Sequence, residues 1–136
     1  MPDHKLKRIL IVDDDADIRQ MLKLLLRAED FEVVGEASSG MELNKKILKT
    51  KPGIILLDIS MPGTSGLDVL EEILKEFSDI KVVMISGSSS SEDVQTAIKR
   101  GASGYIVKPF NTNNVVQNVQ RAIQAAVNQR AVQKTG

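Results

Sequence analysis

The sequence predicts an α/β fold in which helices cover both faces of a five-stranded parallel sheet. Short apolar runs alternate five times with segments whose apolar residues recur at helical spacing, which is typical of a doubly wound sheet. The apolar runs are continuous rather than alternating, as expected for strands that are buried on both faces. The 136 residues match the length of one domain. We therefore expect one parallel sheet built with right-handed crossovers.

The first half of the chain contains three predicted strands and two predicted helices. The strands are the apolar runs at residues 9–12, 33–34 and 54–57. The first helix has one apolar face, which consists of Ile18, Met21, Leu22, Leu25 and Leu26. Ser39-Gly-Met-Glu42 has the pattern of a capping box that opens the second helix. The inward positions of that helix are Leu43, Ile47 and Leu48.

The second half continues the alternation with two strands, at residues 82–85 and 105–107, and three helices. A loop rich in proline and glycine, residues 61–66, precedes a helix with the apolar positions Leu67, Leu70, Leu74 and Phe77. The next helix carries Val94, Ala97 and Ile98 and ends at Gly101, a residue type favoured just after a helix end. Asn111 or Thr112 caps the last helix. Its inward positions are Val115, Val116, Val119, Ala122, Ile123 and Ala126.

Composition excludes several classes of function. The chain has no cysteine and one histidine, His4, which argues against thiolate metal sites and Ser-His-Asp triads; His4 itself lies in a polar N-terminal stretch. Eighteen basic and eighteen acidic residues balance to a net charge of zero, so binding of nucleic acid or membranes through bulk charge is not expected. No apolar run approaches the roughly 20 residues of a membrane span, and no secretory signal is visible. We expect a cytoplasmic protein.

Polar residues that could take part in catalysis or ligand binding follow four of the five strands. Asp13 and Asp14 follow the first strand, Asp58 the third, Ser86 the fourth and Lys108 the fifth. The carboxyl ends of parallel strands form one edge, where ligands of such sheets bind. We therefore expect these residues to meet in one cleft.

The predicted cleft favours phosphoryl-transfer chemistry. Carboxylates about 4 Å apart repel by roughly 4 kcal/mol per pair at an effective dielectric constant near 20, so a bound cation would relieve them. Oxygen ligands without Cys or His select Mg²⁺ or Ca²⁺, and the chain lacks the twelve-residue calcium loop. Acids, a divalent metal, a lysine and a hydroxyl suit phosphoryl transfer, in which a carboxylate can itself be the nucleophile.

Four motifs carry a resemblance to a known family. They are Ile-Leu-Ile-Val-Asp-Asp at 9–14, Leu-Leu-Asp-Ile-Ser-Met-Pro at 56–62, Ser-Gly at 86–87 and Gly-Ala-Ser-Gly-Tyr-Ile-Val-Lys-Pro-Phe at 101–110. In order and spacing they resemble the receiver domain of bacterial two-component response regulators, including chemotaxis-regulator-like members, over about residues 6–127. The resemblance implies a flavodoxin-like strand order, 2-1-3-4-5. It also implies a phosphorylation-dependent signalling switch in a phosphorelay, and not a turnover enzyme.

The resemblance assigns roles to the strand-end residues. It implies that Asp58 receives a phosphoryl group from the phosphohistidine of a sensor kinase in a Mg²⁺-dependent transfer. Asp14, Asp58 and the Ser60 carbonyl would hold the Mg²⁺, and Asp13 would assist through water.

The resemblance further implies a set of switch residues. Lys108 would pair with the phosphoryl oxygens, Ser86 would swing to hydrogen-bond them, and Tyr105 would turn inward. The Lys108–Pro109 peptide bond would be cis. The residues two positions beyond Asp58 and Ser86, Ser60 and Ser88, would tune the lifetime of the phosphorylated state.

The expected organisation is a receiver domain at residues 1–127 and, at 128–136, a C-terminal tail or the start of a linker. The fourth helix, the fifth strand and the fifth helix would form the output face, the surface that changes on phosphorylation. The expected partners are a sensor histidine kinase or phosphotransfer protein and a downstream effector or fused output domain. We expect no direct binding of nucleic acid or membrane. Phosphorylation-dependent dimerisation is a further option. All acidic residues lie at or before Asp93, so the C-terminal part is cationic and would attract an acidic partner.

Two alternatives stay open on the sequence. A phosphatase of the haloacid-dehalogenase type would use Asp13 in an Asp-x-Asp pattern completed by Asp15, although no acidic residue follows Asp93 to supply its metal site. A receiver-like interaction domain that is never phosphorylated is the second alternative.

Overall fold

The five predicted strands form one parallel sheet. The structure is a computed structural model that describes residues 5–61 and 63–135; His4 and Pro62 lie outside the described residues. The strands are β1 (Arg8–Val12), β2 (Glu32–Ala37), β3 (Ile54–Asp58), β4 (Lys81–Ser86) and β5 (Gly104–Val107). All four pairings are parallel and their order is β2-β1-β3-β4-β5. The predicted fold class and strand order are confirmed, and β3 is the central strand.

Five helices cover the two faces of this sheet. They are α1 (Ala16–Ala28), α2 (Leu43–Thr50), α3 (Gly66–Glu76), α4 (Ser91–Lys99) and α5 (Thr112–Thr135). One apolar cluster lies between the sheet and α2, α3 and α4 and includes Leu43, Leu70 and Ala97. A second cluster packs α1 and α5 on the opposite face through Leu22 and Val119. Burial of β1 and β3 on both faces explains their continuously apolar sequences.

Short polar residues begin three of the helices. Oδ1 of Asp15 accepts hydrogen bonds from the N–H groups of Asp17 and Ile18 at the start of α1. Ser90 caps α4 through the N–H of Asp93. Oδ1 of Asn111 accepts from Asn114 N at 2.8 Å, so Asn111 rather than Thr112 precedes α5 as its cap. Gly101, with φ +110°, follows α4 in the conformation that favours glycine.

The prediction for the start of α2 was wrong. Glu42 has a left-handed backbone conformation (φ 58°) and its side chain makes no capping hydrogen bond. The Ser39 hydroxyl instead accepts a hydrogen bond from Met41 N at 3.2 Å. The chain therefore turns sharply before Leu43, and this turn prevents the reciprocal bonds of a capping box.

Three side chains predicted to face inward lie largely in solvent. Met21, Leu48 and Ile98 are 52%, 65% and 48% exposed. Each adjoins a residue that occupies the buried line of its helix, and adjacent residues are about 100° apart on a helix, so the covered stripe is narrower than the apolar pattern.

Helix α5 continues beyond Val127 to Thr135, and only Gly136 of the predicted tail lies outside the described residues. The Gln129 side chain donates a hydrogen bond to the Ser78 carbonyl at 3.3 Å, which anchors this extension to the loop between α3 and β4. The domain boundary at residue 127 stays a prediction.

Candidate functional site

The ends of four strands place the predicted polar residues along one edge of the sheet. Asp13 follows β1, Asp58 ends β3, Ser86 ends β4 and Lys108 follows β5. Backbone hydrogen bonds continue past the strand ends, with Asp13 N donating to Ala37 O at 3.0 Å and Lys108 N to Ser86 O at 2.7 Å. The backbone therefore holds this edge in register.

Three carboxylates gather at this edge. Asp13, Asp14 and Asp58 each offer a carboxylate oxygen, and these oxygens all lie within 4.8 Å of one another. Asp13 and Asp58 are buried, whereas Asp14 is exposed. Desolvation and mutual repulsion both disfavour such charges, so the cluster requires positive charge nearby.

Lys108 supplies one such charge. Its ammonium lies 3.1 Å from Oδ2 of Asp13 and 3.6 Å from Oδ2 of Asp58. Burial by itself lowers the pKa of Lys108, but its contacts with Asp13 and then Asp58 outweigh that effect and the net pKa is raised. One lysine against three carboxylates leaves a local excess of negative charge.

Burial and that excess together raise the pKa of Asp58 to about 6. Burial is the main cause and the charge of Asp13 is the next, while the hydrogen bond from Ser60 N and the charge of Lys108 act in the opposite direction. The Ser60 N–H donates to Oδ1 of Asp58 at 3.2 Å. The carboxylate of Asp58 is thus fixed through one oxygen while the other faces Lys108.

The donor set fits a hard divalent cation such as Mg²⁺. All three side-chain donors are carboxylate oxygens, the type that Mg²⁺ prefers. Oδ2 of Asp13 is buried and accepts no well-aligned hydrogen bond from the part of the chain that the structure describes, although Lys108 is close to it. A buried carboxylate oxygen that accepts no well-aligned hydrogen bond has lone pairs available to coordinate a cation.

Ser86 and Tyr105 are bonded to the loop between β4 and α4 rather than to the acids. The Ser86 hydroxyl accepts a hydrogen bond from Ser88 N at 3.0 Å, and the Tyr105 hydroxyl donates to Ser88 O at 2.8 Å. The Ser88 hydroxyl donates to Oδ2 of Asp93 on α4 at 2.5 Å. Within residues 5–61 and 63–135, neither Ser86 nor Tyr105 hydrogen-bonds to Asp58. Ser88 is therefore the common partner of both side chains.

The loop after Asp58 forms a two-residue hairpin in which Ser60–Met61 pairs with Thr64–Ser65. A Cβ atom at Gly66, where α3 begins, would lie 2.4 Å from the Asp58 carbonyl oxygen and 2.6 Å from Ile59 Cα. Glycine is thus required for α3 to approach the end of β3. The Lys108–Pro109 bond is cis, as predicted.

Two contributors to the site were missed in the sequence. Arg19 donates to the Asp13 carbonyl, and nothing in the local sequence of α1 indicates this contact. Asn118 accepts from Tyr105 N at 3.0 Å and donates to Asn114 O at 2.9 Å. In the sequence, a polar residue directly before the predicted inward position Val119 was a signal that could have identified it.

Comparisons with known proteins match this architecture. The model of the family described as response regulator receiver domain matches residues 9–120. Chemotaxis protein CheY of Listeria monocytogenes is 42% identical over 115 residues, which cover 85% of this chain and 97% of that protein. A CheY-like receiver domain structure from Methanospirillum hungatei has a TM-score of 0.80 at 31% identity and covers 90% of this chain and 97% of its own.

A further solved structure is the CheX–CheY–BeF3–Mg²⁺ complex from Borrelia burgdorferi. This structure aligns with a TM-score of 0.76 at 30% identity over 83% of this chain and 86% of the matched chain. These similarities do not favour the dehalogenase-type alternative or the unphosphorylated interaction domain. The chain belongs to the response regulator receiver domain family, the phosphorylation-dependent switches of two-component signalling.

Proposed function

We propose that Asp58 accepts a phosphoryl group from a phosphohistidine of a sensor histidine kinase or phosphotransfer protein. The observation that carries this proposal is the position of Asp58 at the end of the central strand, with Oδ2 3.6 Å from the Lys108 ammonium. Asp13 and Asp14 lie on the β1 side of it, and Ser86 and Lys108 follow the strands on the other side. A phosphoryl group on Asp58 would therefore lie between the acidic residues on one side and Ser86 and Lys108 on the other.

The carboxylates of Asp13, Asp14 and Asp58 and the Ser60 carbonyl would hold Mg²⁺, with Asp13 acting through water. Bound there, Mg²⁺ would neutralise the clustered carboxylates and polarise the phosphoryl oxygens. Two features support this assignment. Within the described residues, the buried Oδ2 of Asp13 has the Lys108 ammonium nearby but accepts no well-aligned hydrogen bond. The pKa of Asp58 is raised by burial and by the charge of Asp13, so a cation at this edge would stabilise both carboxylates.

In the transfer, a carboxylate oxygen of Asp58 forms a bond to phosphorus while the phosphorus–nitrogen bond of the phosphohistidine breaks. The electron pair of that bond returns to the imidazole nitrogen, which is then protonated. Lys108 pairs with a phosphoryl oxygen and stabilises its charge. Hydrolysis later returns Asp58 to its carboxylate form, so the domain assists its own phosphorylation and dephosphorylation without acting as a turnover enzyme.

Ser86 and Tyr105 would carry the signal from Asp58 to the surface. A swing of the Ser86 side chain toward the phosphoryl group would take its oxygen away from the N–H of Ser88, and an inward turn of Tyr105 would break its bond to Ser88 O. Both changes act on the segment that leads into α4. Contacts that differ between two states are what a population shift requires, and they would alter the face formed by α4, β5 and α5.

The receiver domain would extend to residue 127 and act on a downstream effector or a fused output domain, with phosphorylation-dependent dimerisation as one form of output. The C-terminal region after Asp93 carries only positive charge and would attract an acidic protein partner; direct binding of nucleic acid or membrane is not part of the proposal. Within the described part of the chain, none of the helices has the length and apolar character needed to cross a bilayer. A cytoplasmic location is part of the same proposal and rests on the family to which the chain belongs.

Incubation with Mg²⁺ and acetyl phosphate tests the assignment of Asp58. The protein should gain one acid-stable, base-labile phosphoryl group, seen by intact mass, and Asp58→Asn should abolish it. Asp15→Asn is the matched control, because this acid caps α1 outside the cluster and asparagine caps equally well. Continuous phosphate release that requires Asp13 but not Asp58 would contradict the proposal.

A further inference from the structure

The main chain of Asp13 is held by groups outside its own strand. Its N–H donates to the Ala37 carbonyl on β2 at 3.0 Å, and its carbonyl accepts a hydrogen bond from Nη1 of Arg19 on α1 at 2.6 Å. That carbonyl belongs to the planar peptide unit that joins Asp13 to Asp14. A donor on this oxygen therefore restrains the backbone of both acids.

Arg19 is itself oriented by Glu36. Its Nε lies 2.7 Å from Oε1 of Glu36, and its side chain is only 16% exposed. The guanidinium thus directs one donor to a carboxylate and another to a main-chain carbonyl. A planar fork supports this geometry, whereas the single ammonium of lysine does not.

Glu36 is held in turn by further cationic side chains. Its second oxygen, Oε2, lies 2.5 Å from the ammonium of Lys23, and the Lys46 ammonium donates to its main-chain carbonyl. The hydrogen bonds from Lys23 and Arg19 lower the pKa of Glu36, so the carboxylate is ionised at neutral pH. A continuous set of contacts therefore runs from Glu36 on β2 through Arg19 to the backbone of Asp13 and Asp14.

We infer that Arg19, oriented by Glu36, is a positioning residue that sets the placement of Asp13 and Asp14 for the cation site. The inference rests on the proposed function, because it assigns Mg²⁺ to that site. Arg19 touches a backbone oxygen and not the site itself, so its effect on a bound cation is exerted through the peptide between the two acids.

The chain offers a matched control at the opposite end of β1 and β2. Arg8 on β1 also divides its guanidinium between a β2 glutamate, Glu32 Oε2 at 3.2 Å, and a main-chain carbonyl, Thr50 O at 2.6 Å. Arg8 lies at the amino end of β1, opposite to the acids. Its replacement removes an equivalent fork without touching the site.

The experiment measures Mg²⁺ binding to the full chain by isothermal titration calorimetry in Arg19→Lys, Glu36→Gln and Arg8→Lys. We expect binding about ten-fold weaker in the first two variants, the scale seen when groups that orient metal ligands are replaced. Arg8→Lys should bind within about two-fold of the parent protein. In Mg²⁺-free protein, the ¹⁵N amide signals of Asp13 and Asp14 should move in Arg19→Lys and stay unchanged in Arg8→Lys.

Mg²⁺ affinity equal to that of the parent in both Arg19→Lys and Glu36→Gln would overturn the inference, as would an equal loss in Arg8→Lys. If Arg19→Lys does not fold, Glu36→Gln decides the question alone. Neither result bears on whether Asp58 receives the phosphoryl group, since that depends on the separate Asp58→Asn measurement.

Discussion

The ammonium of Lys108 lies closer to Oδ2 of Asp13, at 3.1 Å, than to Oδ2 of Asp58, at 3.6 Å. Asp13 is fully buried and its Oδ2 accepts no well-aligned hydrogen bond within the described residues. Lys108 is therefore the main compensation for the charge of Asp13 as well as the group available to a phosphoryl oxygen on Asp58.

Replacing Lys108 by methionine should destabilise the Mg²⁺-free protein by about 2–3 kcal/mol, because it leaves buried carboxylates without their cation. Saturating Mg²⁺ should recover a large part of this loss, since the metal supplies the missing positive charge. Urea unfolding with EDTA and with Mg²⁺ measures both effects. Lys99→Met, at an exposed position in the last turn of α4, is the control, and a loss that Mg²⁺ leaves undiminished would contradict the argument.

Tyr105→Phe removes the hydrogen bond to the Ser88 carbonyl and leaves the ring in place. We expect a loss of about 0.5–1.5 kcal/mol in the free energy of unfolding. Amide hydrogen exchange should accelerate at residues 87–90, because this polar loop loses one of its few connections to β5. Unchanged exchange across the loop would show that Tyr105 does not restrain it.

Gly66→Ala should destabilise the protein by about 2–3 kcal/mol, because the new methyl group would lie 2.4 Å from the Asp58 carbonyl oxygen and backbone must move. Mg²⁺ affinity should fall as well, since the displaced segment carries Asp58. Gly87→Ala is the control next to Ser86: a Cβ there meets nothing within 4 Å, and the substitution should change stability by less than about 1 kcal/mol. Similar losses in both variants would remove the steric explanation.

Much of the fold was predictable because β1, β3 and β4 contain continuous apolar runs and the helices carry apolar residues at helical spacing. The convergence of Asp13, Asp58, Ser86 and Lys108 on one edge also follows from strand direction alone, since the carboxyl ends of parallel strands lie together. The prediction that Leu48 faces inward was wrong. Helix α2 has eight residues and buries only Leu43 and Ile47 against the sheet.

The contacts that orient the site were not predictable from local sequence. The ion pair of Arg19 with Glu36 depends on the position of Glu36 in the sheet, where it pairs with Ile11 of β1. That pairing follows a shift in the register of β1 and β2 between Ile9 and Leu10. The bonds of Ser88 depend on the conformation of a serine-rich loop whose residues have nearly equal propensities. Periodicity specifies which face a residue occupies, but not which polar atoms meet across elements.

Glu36→Gln should reduce stability most at neutral pH. Hydrogen bonds from Lys23 and Arg19 lower the pKa of Glu36 below its ordinary 4.5, so ionised Glu36 stabilises the fold above that pH and the contribution disappears as the pH falls through the lowered pKa. The partly exposed position limits the difference to about 1 kcal/mol at pH 7. Unfolding of both proteins from pH 7 into the acid range tests this, and a difference that does not shrink as the pH falls would contradict the electrostatic origin.

Asp58→Asn should have the opposite pH dependence in Mg²⁺-free protein. Folding raises the pKa of Asp58 from 3.8 to about 6, chiefly through burial and the charge of Asp13. The folded state therefore binds this proton more tightly than the unfolded state, and stability falls as the pH rises from 3.8 to about 6.

Above that range the ionised carboxylate costs about 2–3 kcal/mol, so Asp58→Asn should be more stable than the parent by that amount at pH 7.5 in EDTA. The difference should vanish below pH 3.8, where both proteins are neutral at this position. Mg²⁺ should reverse the order, because it binds the parent more tightly and stabilises it by mass action. Exposed Asp79→Asn is the control for urea unfolding across this range. If Asp58→Asn gained nothing at pH 7.5 relative to pH 3.5, the carboxylate cluster would already be neutralised by the protein itself, and the case for a cation at this edge would lose its electrostatic basis.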